Sequence, residues 1–298
     1  MAAMQWEDLP AAVREAVQAR FGSVLKAETV TAGMMPGIAA CLHADSGERL
    51  FLKAIPGDNP TARRYERERW AGTVLPRTVP TPRLLWSSIG SDWITMVFEY
   101  ADGRAADLLP ASTDLPAVLA TVARLGFLLT PCPAIVAPPV TDNVGFLLAE
   151  SQHLLDKPDG VLPHRKLYAA ALDGFDPEHL TGDTLLHYDL HAGNLQVTSS
   201  GVKVIDWAFA AVGAPWIDAF MLGPRLIEAG HTPEQAERLL AQVPAWGEAP
   251  RRSVNGLLAS WTLFRFSKAM YGPAEGREFR ARAAAAGRAW LIYRTATT

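Results

Sequence analysis

Cysteine is scarce: the 298 residues include only Cys41 and Cys132. Two cysteines make no disulfide framework, and neither has a sequence neighbour at metal-ligand spacing. Both read as small buried apolar groups. A basic surplus is missing too. The net charge is −3, which removes electrostatic support for a nucleic-acid partner. Long apolar runs are also lacking. The most hydrophobic stretch, LPAVLATVARLGFLLTP, is interrupted by Arg124 and closed by prolines, so no membrane span is expected. The start, MAAMQWEDLP, has neither the basic leader nor the apolar segment of a signal peptide, which points to the cytoplasm. There is no internal repeat, and no low-complexity segment apart from an Ala/Arg-rich stretch near the end.

What is present is an ordinary globular composition, 49% hydrophobic and 20% charged, in a chain long for one core. Two lobes are therefore expected. The charge is uneven: from Trp207 onward eleven Arg and Lys face seven Asp and Glu.

Along the chain, LPAAVREAVQARFG has helical apolar spacing and stops at Gly22. The period then changes. LKAETVTAG, IAACLHA and RLFLKAI read as three strands separated by the turns MMPG and DSGE. NPTARRYERERWAGTVL reads as a charged helix, followed by strands in VPTPRLLWSS and WITMVFEYADG. Beyond a polar connector near Glu99 to Gly103, helical patterns dominate. They are DLPAVLATVARLGFLL, RKLYAAALDGF, PEQAERLLAQV, RRSVNGLLASWTLFRFSKAMYG and EFRARAAAAGRAWLIYR. The exception is Leu185 to Ile205, where two short strands flank a polar motif.

That motif, LLHYDLHAGNLQV, sets Asp189 between His187 and His191, with Asn194 five residues after the acid. A metal reading would take both histidines and Asp189 as ligands. Gly193 and Asn194 argue for a loop, however, where histidines four apart share no helix face. A self-satisfied Asx turn is the plain structural alternative. Phosphoryl transfer accounts for more. It requires a group on the hydroxyl nucleophile and divalent ions to neutralise phosphates. One aspartate serves the hydroxyl, and an asparagine oxygen and a second carboxylate hold Mg²⁺. VKVIDWAF supplies that carboxylate at Asp206, on the second strand of a hairpin that begins after Asn194.

H-x-D-L-H-x-G-N followed by I-D-W resembles the aminoglycoside phosphotransferase family, small-molecule kinases with a protein-kinase-like fold. The resemblance runs along nearly the whole chain. It implies an α+β, two-lobed protein-kinase-like fold, with a nucleotide-binding β-sheet lobe over 1–99 and a helical lobe over 100–298. It also implies ATP and Mg²⁺. Lys53, inside the third strand, stands where the fold keeps its phosphate-binding lysine. Its partner is a glutamate on the next helix, Glu66 or Glu68, with the family's spacing favouring Glu68. Gly33 and Gly37 lie in the turn that would cover the phosphates. Phe98, Glu99 and Tyr100 would form the hinge that meets adenine. Asp189 becomes the catalytic base or orienting residue, and Asn194 and Asp206 the metal ligands. His191 would donate to the moving phosphoryl group, or else bond within its loop. His187 reads as structural. Asp218 resembles the aspartate that braces the catalytic loop, with an N-cap as the plainer alternative. Two positions depart from the family: Tyr188 stands where glycine is frequent, and Ala214 where an acid is common.

A polycationic aminoglycoside requires an acidic pocket, yet the region that would build it is net basic. Arg225, Arg251, Arg252, Arg265 and Lys268 read mostly as solvated helix faces. The aromatics Trp207, Trp216, Trp246, Trp261, Phe264, Phe266, Tyr271 and Trp290 read mostly as core. The expected acceptor is a small hydroxylated molecule less cationic than an aminoglycoside, such as a nucleoside-type or peptide-type natural product. Antibiotic modification is the first expectation and a metabolic kinase for a sugar, choline or homoserine-like alcohol the second. A nucleotide-binding scaffold without turnover is the rival from another class. Protein-kinase activity is disfavoured, because no APE-like segment follows Asp206. A monomer or weak dimer is expected.

Overall fold

The computed structural model describes residues 4–31, 36–90, 92–158 and 160–297 and falls into two compact units, 1–104 with 196–209, and 105–195 with 210–298. The first unit starts with helix α1 (Ala11–Phe21). Strands β1 (Val24–Thr29), β2 (Ile38–Ala44) and β3 (Arg49–Pro56) follow, then α2 (Ala62–Val74), β4 (Leu84–Gly90) and β5 (Trp93–Glu99). The five strands form one antiparallel sheet of order β1-β2-β3-β5-β4.

Side chains alternate along a strand, and that alternation gives the sheet two working faces. β3 sends Leu50, Leu52 and Ala54 to the face that packs on Leu9 and on Val13 and Val17 of α1. It sends Ile55 to the other face, against Ala62 and Tyr65 of α2 and Ile94 and Met96 of β5. Lys53 shares the parity of Ile55 and so joins the α2 face. Leu50, Leu52, Ile55, Ile94 and Met96 are at most 2% exposed, and burying each contributes about 1.5–3 kcal/mol. Gly37 enters β2 at a φ of +109°, and a Cβ there would lie 2.5 Å from the Ala54 carbonyl oxygen. Only glycine permits that approach.

The chain continues through β6 (Gly103–Ala105) to α3 (Leu115–Leu128), α4 (Val140–Leu155), α5 (Arg165–Leu172) and β7 (Thr184–Leu186). A hairpin of β8 (Leu195–Thr198) and β9 (Gly201–Val204) comes next and joins β6 in a sheet of order β6-β8-β9. The remainder is β10 (Ala211–Gly213), which pairs antiparallel with β7, then α6 (Ile217–Glu228), α7 (Pro233–Leu240), α8 (Arg251–Tyr271) and α9 (Arg277–Ala296). Helix α8 packs on α9, α4 and α5 and is buried around most of its circumference. Phe220, Trp290 and Trp246 stack in the second unit's core, at 5.6 and 5.8 Å between ring centroids.

Three details differ from the sequence reading. Helix α4 is not among the expected helices, although Val140, Val144, Leu147, Ser151 and Leu154 form its buried stripe. Cys41 is buried, but Cys132 is only half-buried. Cys41 also has company, because the β1–β2 register sets Glu28 opposite it and His43 two residues on. The three ligand atoms lie within 4.8 Å of one another. His43 Nε2 is 3.1 Å from Glu28, whose carboxylate also pairs with Lys26, so the group is accounted for as an ion-paired strand edge. Among the described residues, no helix is long and apolar enough to cross a membrane.

Candidate active site

In the first unit, the buried stripe of α2 selects between the two glutamates that the sequence left open. Ala62, Tyr65, Glu68 and Ala71 face the sheet, while Glu66 is exposed. Lys53 Nζ donates to Glu68 Oε2 at 2.5 Å and to Asp206 Oδ1 at 3.0 Å. Lys53 is 8% and Glu68 4% exposed. Burial pulls the Lys53 ammonium down, but Glu68 and Asp206 outweigh it and hold the group above its ordinary range. Burial pushes Glu68 up to about 7 against the pull of Lys53. One ammonium thus sits between two carboxylates. Phe98 and Glu99 end β5 and Tyr100 follows, with Arg49 stacked 4.6 Å above its ring. The Glu99 carboxylate accepts the Arg83 N–H at 3.0 Å. Gly33 lies outside the described residues.

In the second unit, the loop from His187 to Asn194 is tied down almost atom by atom. Asp218, buried in the first turn of α6, accepts the backbone N–H of His187 at 3.0 Å and of Tyr188 at 2.8 Å. The N-cap position belongs to Trp216, so of the two roles considered for Asp218 the geometry is that of the brace. Burial raises the Asp218 pKa, outweighing His187 and the two N–H bonds that favour the anion. Tyr188 has a φ of 67°, in the left-handed region where glycine carries no penalty. Glycine would adopt this conformation freely, whereas tyrosine must overcome a steric cost there. Asp206 shares this conformation, at 65°.

Further along the loop, the Asp189 N–H donates to His187 Nδ1 at 3.2 Å, and the Gly193 N–H to His191 Nδ1 at 3.1 Å. Asn194 donates its amide N–H to the Asp189 carbonyl at 2.9 Å. These bonds leave the Asp189 carboxylate without a hydrogen bond, 30% exposed and at ion-pair distance, 3.9 Å, from His191 Nε2. His191 therefore does bond within the loop through one nitrogen, while the other faces the acid. Each of the two expected metal ligands has an atom of the kind Mg²⁺ takes: Asn194, with its nitrogen committed, an amide oxygen, and Asp206 a carboxylate oxygen. Both are hard oxygen ligands.

Sequence reasoning missed two arginines by treating them as solvated. Arg225 is 6% exposed and ion-paired to Glu228 at 2.7 Å. Arg265 on α8 is half-buried, with its Nε sealed from solvent and lacking any hydrogen-bond partner. Their charges reach into the loop: Asp189 acts electrostatically on Arg265, and Arg265 on Tyr188. Helical periodicity could have placed Arg265 on an inward face, because Trp261 lies one turn earlier.

The APH phosphotransferase enzyme family model matches residues 41–252. No curated protein matches the sequence significantly. Choline kinase LicA from Streptococcus pneumoniae is similar in structure, with a TM-score of 0.66 and 14% identity, over 95% of this chain and 98% of that one. A thermostable mutant of aminoglycoside phosphotransferase APH(4)-Ia gives 0.62 and 16%, over 92% and 98%. The streptomycin–ATP–APH(2")-IIa ternary complex gives 0.56 and 13%, over 96% and 97%. With a family model that spans most of its sequence and a fold shared along nearly its whole length, this chain belongs to the APH phosphotransferase enzyme family of small-molecule kinases.

Proposed function

We propose that the protein transfers the γ-phosphoryl group of ATP to a hydroxyl of a small molecule, a natural-product antibiotic or a related compound. Lys53, oriented by Glu68, holds the nucleotide phosphates, and Phe98 to Tyr100 meet the adenine. Asn194 and Asp206 hold Mg²⁺, which neutralises phosphate charge when bound. Asp189 orients the acceptor hydroxyl and takes its proton as the oxygen–phosphorus bond forms and the bond to ADP breaks. His191 Nε2, beside Asp189, is placed to donate to the moving group. ATP as donor fits a cytoplasmic site of action.

The observation that carries this reading is the Asp189 carboxylate. It is partly exposed and accepts no hydrogen bond, on a loop whose backbone is otherwise committed. A carboxylate with a purely structural role would be expected to carry hydrogen bonds of its own. The named relatives act on or bind choline and streptomycin, so the shared fold does not select the acceptor.

The test is Mg²⁺-dependent ATP consumption against hydroxylated antibiotics and small metabolic alcohols, with Asp189→Asn as control. Acceptor-dependent turnover should fall by about 10²–10⁴-fold in the variant. Turnover that survives in Asp189→Asn would refute the assignment. ATP hydrolysis with no responsive acceptor would favour a nucleotide-binding scaffold.

A further inference from the structure

We propose that the acceptor carries an oxyanion, a carboxylate or a phosphate, near the hydroxyl that is phosphorylated, and that Arg265 binds it with the Tyr188 hydroxyl as a second donor. This rests on the reading of Asp189 as the residue that handles that hydroxyl.

Arg265 has no counterion at ion-pair distance; the negative charges that act on it, Asp189 and Glu228, lie farther off. Among the described residues its side chain forms no hydrogen bond and no ion pair, and what it does meet is the Trp261 ring, 5.0 Å from the guanidinium. Arg225 stacks on the same ring at 5.2 Å but pairs directly with Glu228, which acts on Arg265 only from a distance. Arg280 adds further positive potential at Arg265. Burial, and then the Arg225 charge, push the Arg265 pKa down to about 10, which still leaves it charged at neutral pH.

Tyr188 repeats the pattern. Its hydroxyl is sealed from solvent and has no partner, and burial pushes its pKa up, with the Asp189 charge adding to the effect. Two buried donors without acceptors, beside Asp189, are costly to leave so. Asp189 itself is not the missing acceptor, since it lies beyond ion-pair distance of Arg265. The Arg265 charge acts on Tyr188, so an oxyanion bound by the guanidinium, which is well shaped for carboxylate or phosphate, would be in the neighbourhood of the hydroxyl. The same charge disfavours a polycation at this place.

The test uses the full chain with the nucleotide site filled by ADP and Mg²⁺, at fixed ionic strength. Glycerol, D-glycerate, glycerol 3-phosphate and 3-amino-1,2-propanediol share one alcohol skeleton and differ in charge. Isothermal titration should show binding of D-glycerate or glycerol 3-phosphate, and which of the two binds more tightly separates carboxylate from phosphate. Affinity should fall about tenfold or more in Arg265→Gln and recover in part in Arg265→Lys, with circular dichroism showing both variants folded. Failure of both anions to bind, equal binding by Arg265→Gln, or preference for the amine would overturn the proposal. The acceptor screen separates the two readings. Turnover of a cationic acceptor that is indifferent to Arg265→Gln sinks the oxyanion site and leaves the kinase reading standing. Arg265-dependent anion binding without Asp189-dependent turnover does the reverse.

Discussion

Asp218 is where the loop's architecture can be tested most directly. Its two carboxylate oxygens accept the N–H groups of His187 and Tyr188 at 3.0 and 2.8 Å. Asp218→Ala would strand both donors in a buried place. Hydrogen bonds to a charged acceptor contribute about 1.5–3 kcal/mol each, so the pair contributes about 3–6 kcal/mol. Two effects offset this. Tyr188 held at a φ of 67° stores on the order of 1 kcal/mol, which a loosened loop releases. Removing a buried carboxylate whose pKa is already raised by desolvation recovers about another 1 kcal/mol. The net loss is then about 1–4 kcal/mol, or about 2–16 °C in Tm at about 2–4 °C per kcal/mol. Asp218→Asn keeps one acceptor oxygen and should lose about half as much. The assay is thermal denaturation followed by circular dichroism, together with initial rates of acceptor-dependent ATP consumption. The kcat should fall by about ten- to a hundredfold, because a displaced Asp189 loses its orientation. KM for ATP should stay near the original value. A full kcat in Asp218→Ala, or a stability within about 0.5 kcal/mol of the parent, would refute the brace.

Glu68→Ala leaves the buried Lys53 with only Asp206, and should cost about 3–5 kcal/mol in urea denaturation while weakening ATP binding in calorimetry. Arg265→Met removes a cation with no counterion at ion-pair distance, whose burial costs on the order of 1–3 kcal/mol after solvent screening. The cation–π attraction to Trp261 that the variant forgoes is smaller, about 0.5–1 kcal/mol. Its Tm should rise, by up to about 10 °C, which scanning calorimetry can check. Glu150 is held below its ordinary value of 4.5 first by the Ser267 hydroxyl and, after it, by Lys268, at 3.2 Å. A depressed folded-state pKa contributes stability above the unfolded value, and that stability is lost as pH falls through the folded one. Glu150→Gln should therefore lower Tm near neutral pH and flatten its decline on acidification, as thermal melts across that range would reveal.

Much of this was legible in the sequence because it depends on short-range regularities. Alternation in FLKAI puts Lys53 on the opposite face from Leu52, and helical spacing in α2 joins Glu68 to Tyr65 and Ala62, not to Glu66. The order H-x-D, then N, then I-D fixes which acids follow which strands. What escaped depends on distant partners or on weak local patterns. Strand β10 has three residues, too few for a period to register. Helix α4 has clear spacing, but a proline-rich approach and an internal Gly145 mask it. The meeting of Glu28, Cys41 and His43 needs the register of two strands across a bulge. Arg265 is the instructive case, since periodicity gives the face of a helix and not what lies opposite it.

The first unit is discontinuous along the chain, and this bears on how the protein is made. Residues 196–209 belong with residues 1–104, and several contacts bind them there. The Val204 N–H donates to the Pro80 carbonyl at 2.7 Å, Trp207 Nε1 to Thr81 Oγ1 at 3.2 Å, and Arg64 stacks 4.7 Å above Phe209. A ribosome releases the five-stranded sheet long before this segment. During synthesis the sheet must wait, with Lys53 paired to Glu68 alone, while about ninety residues of the other unit emerge. A fragment cut near residue 104 would hold every strand of that sheet and still be incomplete. The last piece to reach the first unit is the one that carries Asp206.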